Sequence, residues 1–136
     1  KERGHWSDAY LMVQKEVAAR LTGKVGTKAY GRLTVMIGAF MDVEICFNIS
    51  PNVFVPKPKV ESSIIRLVKK SKPLIRDNQF DQFEKIVFSG FSKRRKMLRN
   101  SLRELNFNQQ IQAEIDFKRR PETLSIQEFV KLLNSR

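Results

Sequence analysis

Cysteine and histidine are nearly missing from these 136 residues, which contain only Cys46 and His5. An intrachain disulfide is therefore excluded, and a zinc site would lack its usual soft ligands. Cys46 falls in an alternating stretch and is expected to be a small packed side chain. No run of eighteen apolar residues occurs, so no bilayer-spanning helix is expected. Lys1 to Trp6 is polar where a secretory leader would be apolar, which points to a cytoplasmic protein. The six glycines are scattered, with no G-x-G-x-x-G, and Gly23-Lys24 and Thr27-Lys28 complete no Walker A loop. No site for a nucleotide cofactor can be assigned, and there is no Ser/His/Asp set or evident pair of catalytic carboxylates.

Acidic residues are also scarce. Fourteen Asp and Glu stand against 26 Lys and Arg, for a net charge of +12. Such an excess favours a polyanionic partner, with nucleic acid the first candidate. A hydrophobic fraction of 41% and ten phenylalanines are enough for a modest core.

The chain opens on Lys1 without an initiator methionine, and Lys1 to Gly4 looks like a helix tail running into a strand. A truncated start is expected. Ala9 to Gln14 has the apolar content of a buried strand, and Lys15 to Leu21 predicts a helix ending at Gly23. Between Lys28 and Phe40, Leu33, Met36, Ile37 and Phe40 recur at i, i+3, i+4 and i+7, which predicts a helix with one buried face. Val43, Ile45, Phe47 and Ile49 alternate with polar positions as a strand does, and Val60 to Val68 predicts a second, buried strand. Pro51, Pro56 and Pro58 stiffen the connection between these strands.

A boundary is placed near residue 72, because everything after Pro73 has helical spacing. Phe80, Phe83, Val87 and Phe91 form one stripe. A basic helix is predicted over 93–105, then a shorter one over 108–115. The last helix carries its own start signal, with Ser125 as N-cap, Glu128 completing a capping box, and Leu124 set to staple against Phe129. A chain holding only part of a sheet would also present an unpaired strand edge.

Two constellations suit a nucleic acid, RNA or DNA. On the predicted basic helix, Arg95, Lys96, Arg99 and Arg103 share one arc, next to Lys93 and Arg94, while Phe91, Leu98, Leu102 and Leu105 share another. That spacing suits a row of phosphates, and it equally suits a solvated helix face. Phe54 sits in the proline-braced loop ahead of Lys57 and Lys59, where its ring can stack on a base or plug the core. Tyr30, Gly31 and Arg32 open a helix, a place where phosphate can bind but which serves equally as a plain structural start. Gln14, Lys15 and Glu16 are read as structural.

Several segments in series resemble the small-subunit rRNA adenine dimethyltransferases of the KsgA/Erm superfamily. They are Met12-Val13-Gln14-Lys15-Glu16-Val17-Ala18 with Arg20, Lys28-Ala29-Tyr30-Gly31-Arg32-Leu33-Thr34-Val35, and Val53-Phe54-Val55-Pro56-Lys57-Pro58-Lys59-Val60-Glu61-Ser62. Phe91 with Arg94-Arg95-Lys96-Met97-Leu98-Arg99-Asn100-Ser101-Leu102 follows, and then Arg120-Pro121-Glu122-Thr123-Leu124-Ser125. Order and spacing agree along nearly the whole chain.

The resemblance implies an α/β plus α fold: residues 1–72 as the last strands and helices of a Rossmann-like methyltransferase domain, and 73–136 as a helical rRNA-binding domain. It implies transfer of methyl groups from S-adenosylmethionine to N6 of two adjacent adenosines near the 3′ end of small-subunit rRNA. The enzyme would act as a monomer on the immature small subunit. Phe54 corresponds to the aromatic that stacks on the target adenine, and Arg20, Arg94, Arg95, Lys96 and Arg120 to positions tied to rRNA contact. Arg32, Lys57, Lys59, Arg99 and Arg103 join them as candidate RNA ligands on charge and placement.

The family's glycine-rich donor loop, its acidic ribose ligand and its Asn-Leu-Pro-Tyr motif all belong ahead of the segments present here. This stretch is therefore expected to bind RNA and not to methylate alone. A basic RNA-binding or ribosome-assembly module that works by binding only, and a relative of the mitochondrial transcription factors, are the alternatives.

Overall fold

The structure, a computed structural model, describes residues 8–57 and 59–136. The expected helix tail at Lys1–Gly4, and His5, lie outside the described residues. Strand β1 (Asp8–Gln14) runs directly into helix α1 (Lys15–Leu21), and a loop leads to α2 (Arg32–Gly38). Strands β2 (Met41–Ile49) and β3 (Ser62–Lys69) follow. The remaining helices are α3 (Phe80–Ser92), α4 (Leu98–Ser101), α5 (Gln109–Glu114) and α6 (Ile126–Asn134).

The sheet has the order β1-β3-β2, and both pairings are antiparallel. β3 lies in the middle because its apolar residues alternate over both faces, and its Ser63 and Ile65 are buried. Cross-strand partners share a face, so Met12, Ile64 and Phe47 line up on one side, and Leu11, Ile65 and Ile45 on the other. On the first side Tyr10, Met12 and Phe47 are exposed. Arg66 spans that face, bonding Asp8 on β1 and Glu44 on β2. Among the described residues β1 pairs only with β3, so its outer edge is open.

The packed-cysteine expectation is corrected here. The ladder between β2 and β3 slips between Ile45 and Phe47, which leaves Cys46 as the extra residue of a bulge, and its side chain is exposed. A residue squeezed out of register has no cross-strand neighbour to pack on.

The core lies mainly among the helices. Phe83, Ile86, Val87 and Phe91 of α3 meet Phe129, Leu132 and Leu133 of α6, with Phe91 and Phe129 rings stacked at 5.6 Å. Tyr30, Val35 and Ala39 join the same cluster, so α2 lends its apolar face to the helical lobe. Gly38 lies against the Ile126 side chain, whose terminal methyl would have to move to admit a Cβ there. Phe80, the first residue of the predicted stripe, stays outside the buried core at 38% exposure and meets the Phe40 ring at 6.1 Å.

Helix α6 starts as its sequence predicts. Ser125 N–H donates to Glu128 at 2.9 Å, Glu128 N–H donates to the Ser125 hydroxyl at 3.1 Å, and Leu124 and Phe129 are both buried. Arg119 reinforces this cap with a two-pronged bond to the Glu128 carboxylate at 2.7 and 3.1 Å. That bond, foremost, holds the Glu128 carboxyl below its ordinary range.

The basic helix expected over 93–105 does not form as one helix. Helix α3 stops at Ser92, a turn occupies 93–97, and only the four-residue α4 and a 3-10 turn at Arg103–Leu105 follow. Four consecutive cations, Lys93 to Lys96, would repel one another and Arg99 across a helix surface. In the observed geometry the first N–H groups of α4 find partners outside the helix: Leu98 donates to the Arg119 carbonyl at 2.8 Å and Arg99 to the Phe117 carbonyl at 2.9 Å.

A cationic groove between α2 and α3 as candidate nucleic-acid interface

The loop 22–31 is where α1, α2 and the end of α3 converge. Gly23 lets the loop fold onto itself, because a Cβ there would lie 2.8 Å from the Ala29 and Tyr30 backbone. Thr34, buried at the start of α2, donates its hydroxyl to the Arg20 carbonyl and accepts the Gly31 N–H at 3.1 Å. That one side chain joins the last turn of α1 to the first turn of α2. Gly26, at φ 88°, donates to the Glu122 carbonyl at 2.8 Å and so ties the loop to the far lobe.

Arg94 completes the junction. Its guanidinium turns inward and donates to the carbonyls of Lys28 at 2.9 Å, Thr27 at 3.4 Å, and Tyr30. The same group lies 5.5 Å from the centre of the Phe91 ring. All three carbonyls gather on one terminal nitrogen, Nη2, and share its two hydrogens. Arg94 therefore acts as a clamp between the lobes. Beneath it Tyr30 is buried, and its hydroxyl has no hydrogen-bond partner among the described residues. Burial, with a smaller effect from the Glu128 charge, raises the Tyr30 phenol well above its ordinary value.

Two cavities open beside the clamp. One, of about 660 Å³, is lined by Arg20, Lys28, Arg32 and Arg94 over an apolar floor that includes Met36 and Phe88. The other, of about 500 Å³, is lined by Arg32, Phe88, Lys93, Asn100, Arg103 and Glu104. Arg32 and Phe88 belong to both, so the cavities form one groove. Among the described residues six cations line it against one carboxylate, Glu104. Arg20 is also paired with Glu16 at 2.7 Å, and Arg103 bonds the Asn100 side-chain oxygen at 3.0 Å. A low-walled cleft with one sign of charge concentrates an anionic ligand.

The structure brings together Arg20, Arg32, Arg94 and Arg103 of the residues expected from sequence. It sets the others apart from the groove. Arg95 and Lys96, within the turn at 93–97, and Arg99 of α4 are exposed and line neither cavity. Arg120 is exposed beside Pro121, while its neighbour Arg119 is committed to Glu128. Phe54 lies half-buried after the 3-10 turn Pro51–Val53 and outside the hydrophobic cluster, with Lys57 and Lys59 exposed after it. Glu61 pins this loop to the end of β1: its carboxylate meets the Lys15 ammonium at 2.8 Å and its carbonyl accepts the Lys15 N–H at 2.9 Å.

Sequence reasoning overlooked Lys28 and Phe88. The signal for Phe88 was available, since it is a large aromatic on α3 outside the stripe through Phe83, Val87 and Phe91, at a position where the helical period predicts solvent.

The chain has counterparts among known proteins. The family described as Ribosomal RNA adenine dimethylase matches residues 2–135, and the chain belongs to that family. A protein named Ribosomal RNA small subunit methyltransferase A from Clostridium botulinum (strain Loch Maree) is 43% identical over 138 residues, covering 97% of this chain and 50% of the relative. The protein of the same name from Nitrosospira multiformis is 42% identical, covering 96% of this chain and 51% of its own length. The chain thus spans about half the length of the curated relatives it matches. Among solved structures, a dimethyladenosine transferase from Plasmodium falciparum superposes with a TM-score of 0.83 at 26% identity, over 96% of this chain and 57% of that one. The 23S rRNA methyltransferase ErmE shares the fold, with a TM-score of 0.71 at 24% identity over 98% of this chain and 56% of that one. Among the described residues no helix is long and apolar enough to cross a membrane.

Proposed function

We propose that these residues are the RNA-gripping part of an rRNA adenine N6,N6-dimethyltransferase, a cytoplasmic monomer that acts on the immature small ribosomal subunit. The complete enzyme moves methyl groups from S-adenosylmethionine to N6 of two adjacent adenosines near the 3′ end of small-subunit rRNA. The observation that carries this reading is the groove between α2 and α3, where, among the described residues, five cations besides the Arg94 clamp stand against a single carboxylate, a lining that suits a phosphate backbone. Family membership supplies the kind of RNA.

The groove does not fit the methyl donor. A sulfonium is itself a cation and would be repelled by this lining, and among the described residues Glu104 is the one carboxylate there to accept from ribose hydroxyls. In this reading the donor is held by the part of the protein that the relatives possess and this stretch does not span. The strands β1 to β3 are then the closing strands of a larger Rossmann-like sheet, and 73–136 a helical rRNA-binding domain. The open edge of β1 and the exposed Tyr10, Met12 and Phe47 support this arrangement, since both call for covering. N6 is a poor nucleophile because its lone pair is delocalised into the ring. Methylation therefore depends on holding the base in place, and Phe54 is assigned to stack on the target adenine. Lys57, Lys59, Arg95, Lys96, Arg99 and Arg120 supply further phosphate contacts outside the groove.

The test is Phe54→Ala in the full-length protein. Loss of one stacked base, about 1–3 kcal/mol, should lower methyl incorporation into small subunits at least about fivefold while RNA affinity changes less than about twofold. Unfolding of the variant would instead make Phe54 a core plug. Labelled methyl transfer by residues 1–136 alone would overturn the division of labour.

A further inference from the structure

We propose that Arg32 and Phe88 together form a platform on which an unpaired nucleotide of the bound RNA, distinct from the methylated adenine, stacks. The inference rests on the groove being an RNA interface and goes beyond it by assigning a base-binding position within it.

The Arg32 guanidinium lies 4.4 Å from the centre of the Phe88 ring. Phe88 is nonetheless 45% exposed, on the face of α3 opposite its buried Phe83 and Val87. An exposed phenylalanine with an arginine over it is unremarkable on an ordinary surface. Here the pair forms the wall shared by two cavities, with cations on either side: Arg20 and Lys28 in one, Lys93 and Arg103 in the other. A strand laid along the groove would meet phosphate ligands, then a π surface, then phosphate ligands again. Aromatic rings and guanidinium planes are the two surfaces on which unpaired bases stack, whereas a base inside a duplex is already stacked and unavailable. Ser89 and Asn100 border the pair and offer hydrogen-bonding groups to a base edge or a 2′-hydroxyl. Phe54 lines neither cavity, so the platform is a second aromatic position and not another description of the first.

The test compares the full chain and its variants by fluorescence anisotropy, using a single-stranded RNA 12-mer and a blunt RNA duplex of equal length. Wild type should bind both with salt dependence and prefer the single strand. Phe88→Leu keeps apolar bulk and removes the π face, so single-strand affinity should fall about fivefold or more, with duplex affinity and the salt slope unchanged. Phe88→Tyr should match wild type. A Phe88→Trp variant gives an independent reading, because its indole emission, above the Trp6 background, should be quenched by the single strand and not by the duplex. Unchanged single-strand affinity in folded Phe88→Leu, or an unquenched indole in Phe88→Trp, would overturn the platform and leave the groove's RNA reading intact. Absence of salt-dependent binding to either RNA by wild type would overturn the groove reading itself.

Discussion

Replacing Arg94 should cost stability, and that sets it apart from its two neighbours in sequence. Its guanidinium reaches three backbone carbonyls, those of Thr27, Lys28 and Tyr30, and leans on the Phe91 ring. A hydrogen bond from a charged group contributes about 1.5–3 kcal/mol net when sheltered. The Thr27 contact is long and Arg94 is half-exposed. Two effective bonds, discounted for water that replaces them, give a loss of about 2–4 kcal/mol for Arg94→Ala. Lysine keeps the charge but loses the planar group that lies against the Phe91 ring, so Arg94→Lys should recover only part of that loss. Arg95→Ala, at an exposed turn position, should fall within about 0.5 kcal/mol of wild type. Urea unfolding followed by far-ultraviolet circular dichroism reads the difference. With a denaturant slope of about 1–3 kcal/mol/M, the Arg94→Ala midpoint should drop by about 0.7 M or more. If Arg94→Ala and Arg95→Ala unfold at the same urea concentration, the clamp does not exist and Arg94 is as free for phosphate as Arg95.

Tyr30→Phe should be neutral or stabilising by about 1 kcal/mol at neutral pH, because the buried hydroxyl it removes has no partner among the described residues. It should also remove an alkaline weakness. The folded phenol ionises far above the ordinary value of 10.0, so its contribution is complete below that pH and declines above it, as the unfolded chain ionises first. Thermal melts of both proteins at neutral pH and above pH 10 check this. Glu128 works in the opposite direction. Its folded value lies below the ordinary 4.5, so its contribution is present above that pH and is lost as the pH falls through the lower folded value. Melting temperatures of wild type and Arg119→Ala should therefore differ at neutral pH and converge as the medium becomes strongly acidic.

The parts of this molecule that local chemistry decides were legible in its sequence. Helix α6 starts at Ser125 because two side chains three residues apart satisfy each other's backbone, and that signal is self-contained. Strand β2 followed from alternation and the other two from apolar content, each within a few residues of its observed ends, but β1, expected to be buried, exposes Tyr10, Leu11 and Met12. Over 93–105 the helical period was present, but charge repulsion and the three carbonyls waiting in a distant loop outweighed it, and neither is written in the local spacing. Cys46 failed for a related reason, since a bulge depends on the partner strand's register. Within the candidate site, Arg20, Arg32, Arg94 and Arg103 were identified from charge and resemblance. Their meeting in one groove, and the clamp that occupies Arg94, depend on contacts between residues more than sixty positions apart. Phe88 was passed over because a stripe drawn through its buried neighbours draws attention away from the exposed face.

The central claim, that the groove between α2 and α3 holds an RNA backbone, is tested most directly by the salt dependence of binding. For single strands each phosphate contact contributes about 0.7 to the slope of log affinity against log salt. Replacing Lys28, Lys93 and Arg103 together by glutamine should flatten that slope by about 2 for a single-stranded RNA, whereas replacing the exposed Arg76 and Lys118, which line neither cavity, should leave it in place. An unchanged slope in the groove variant would contradict the account.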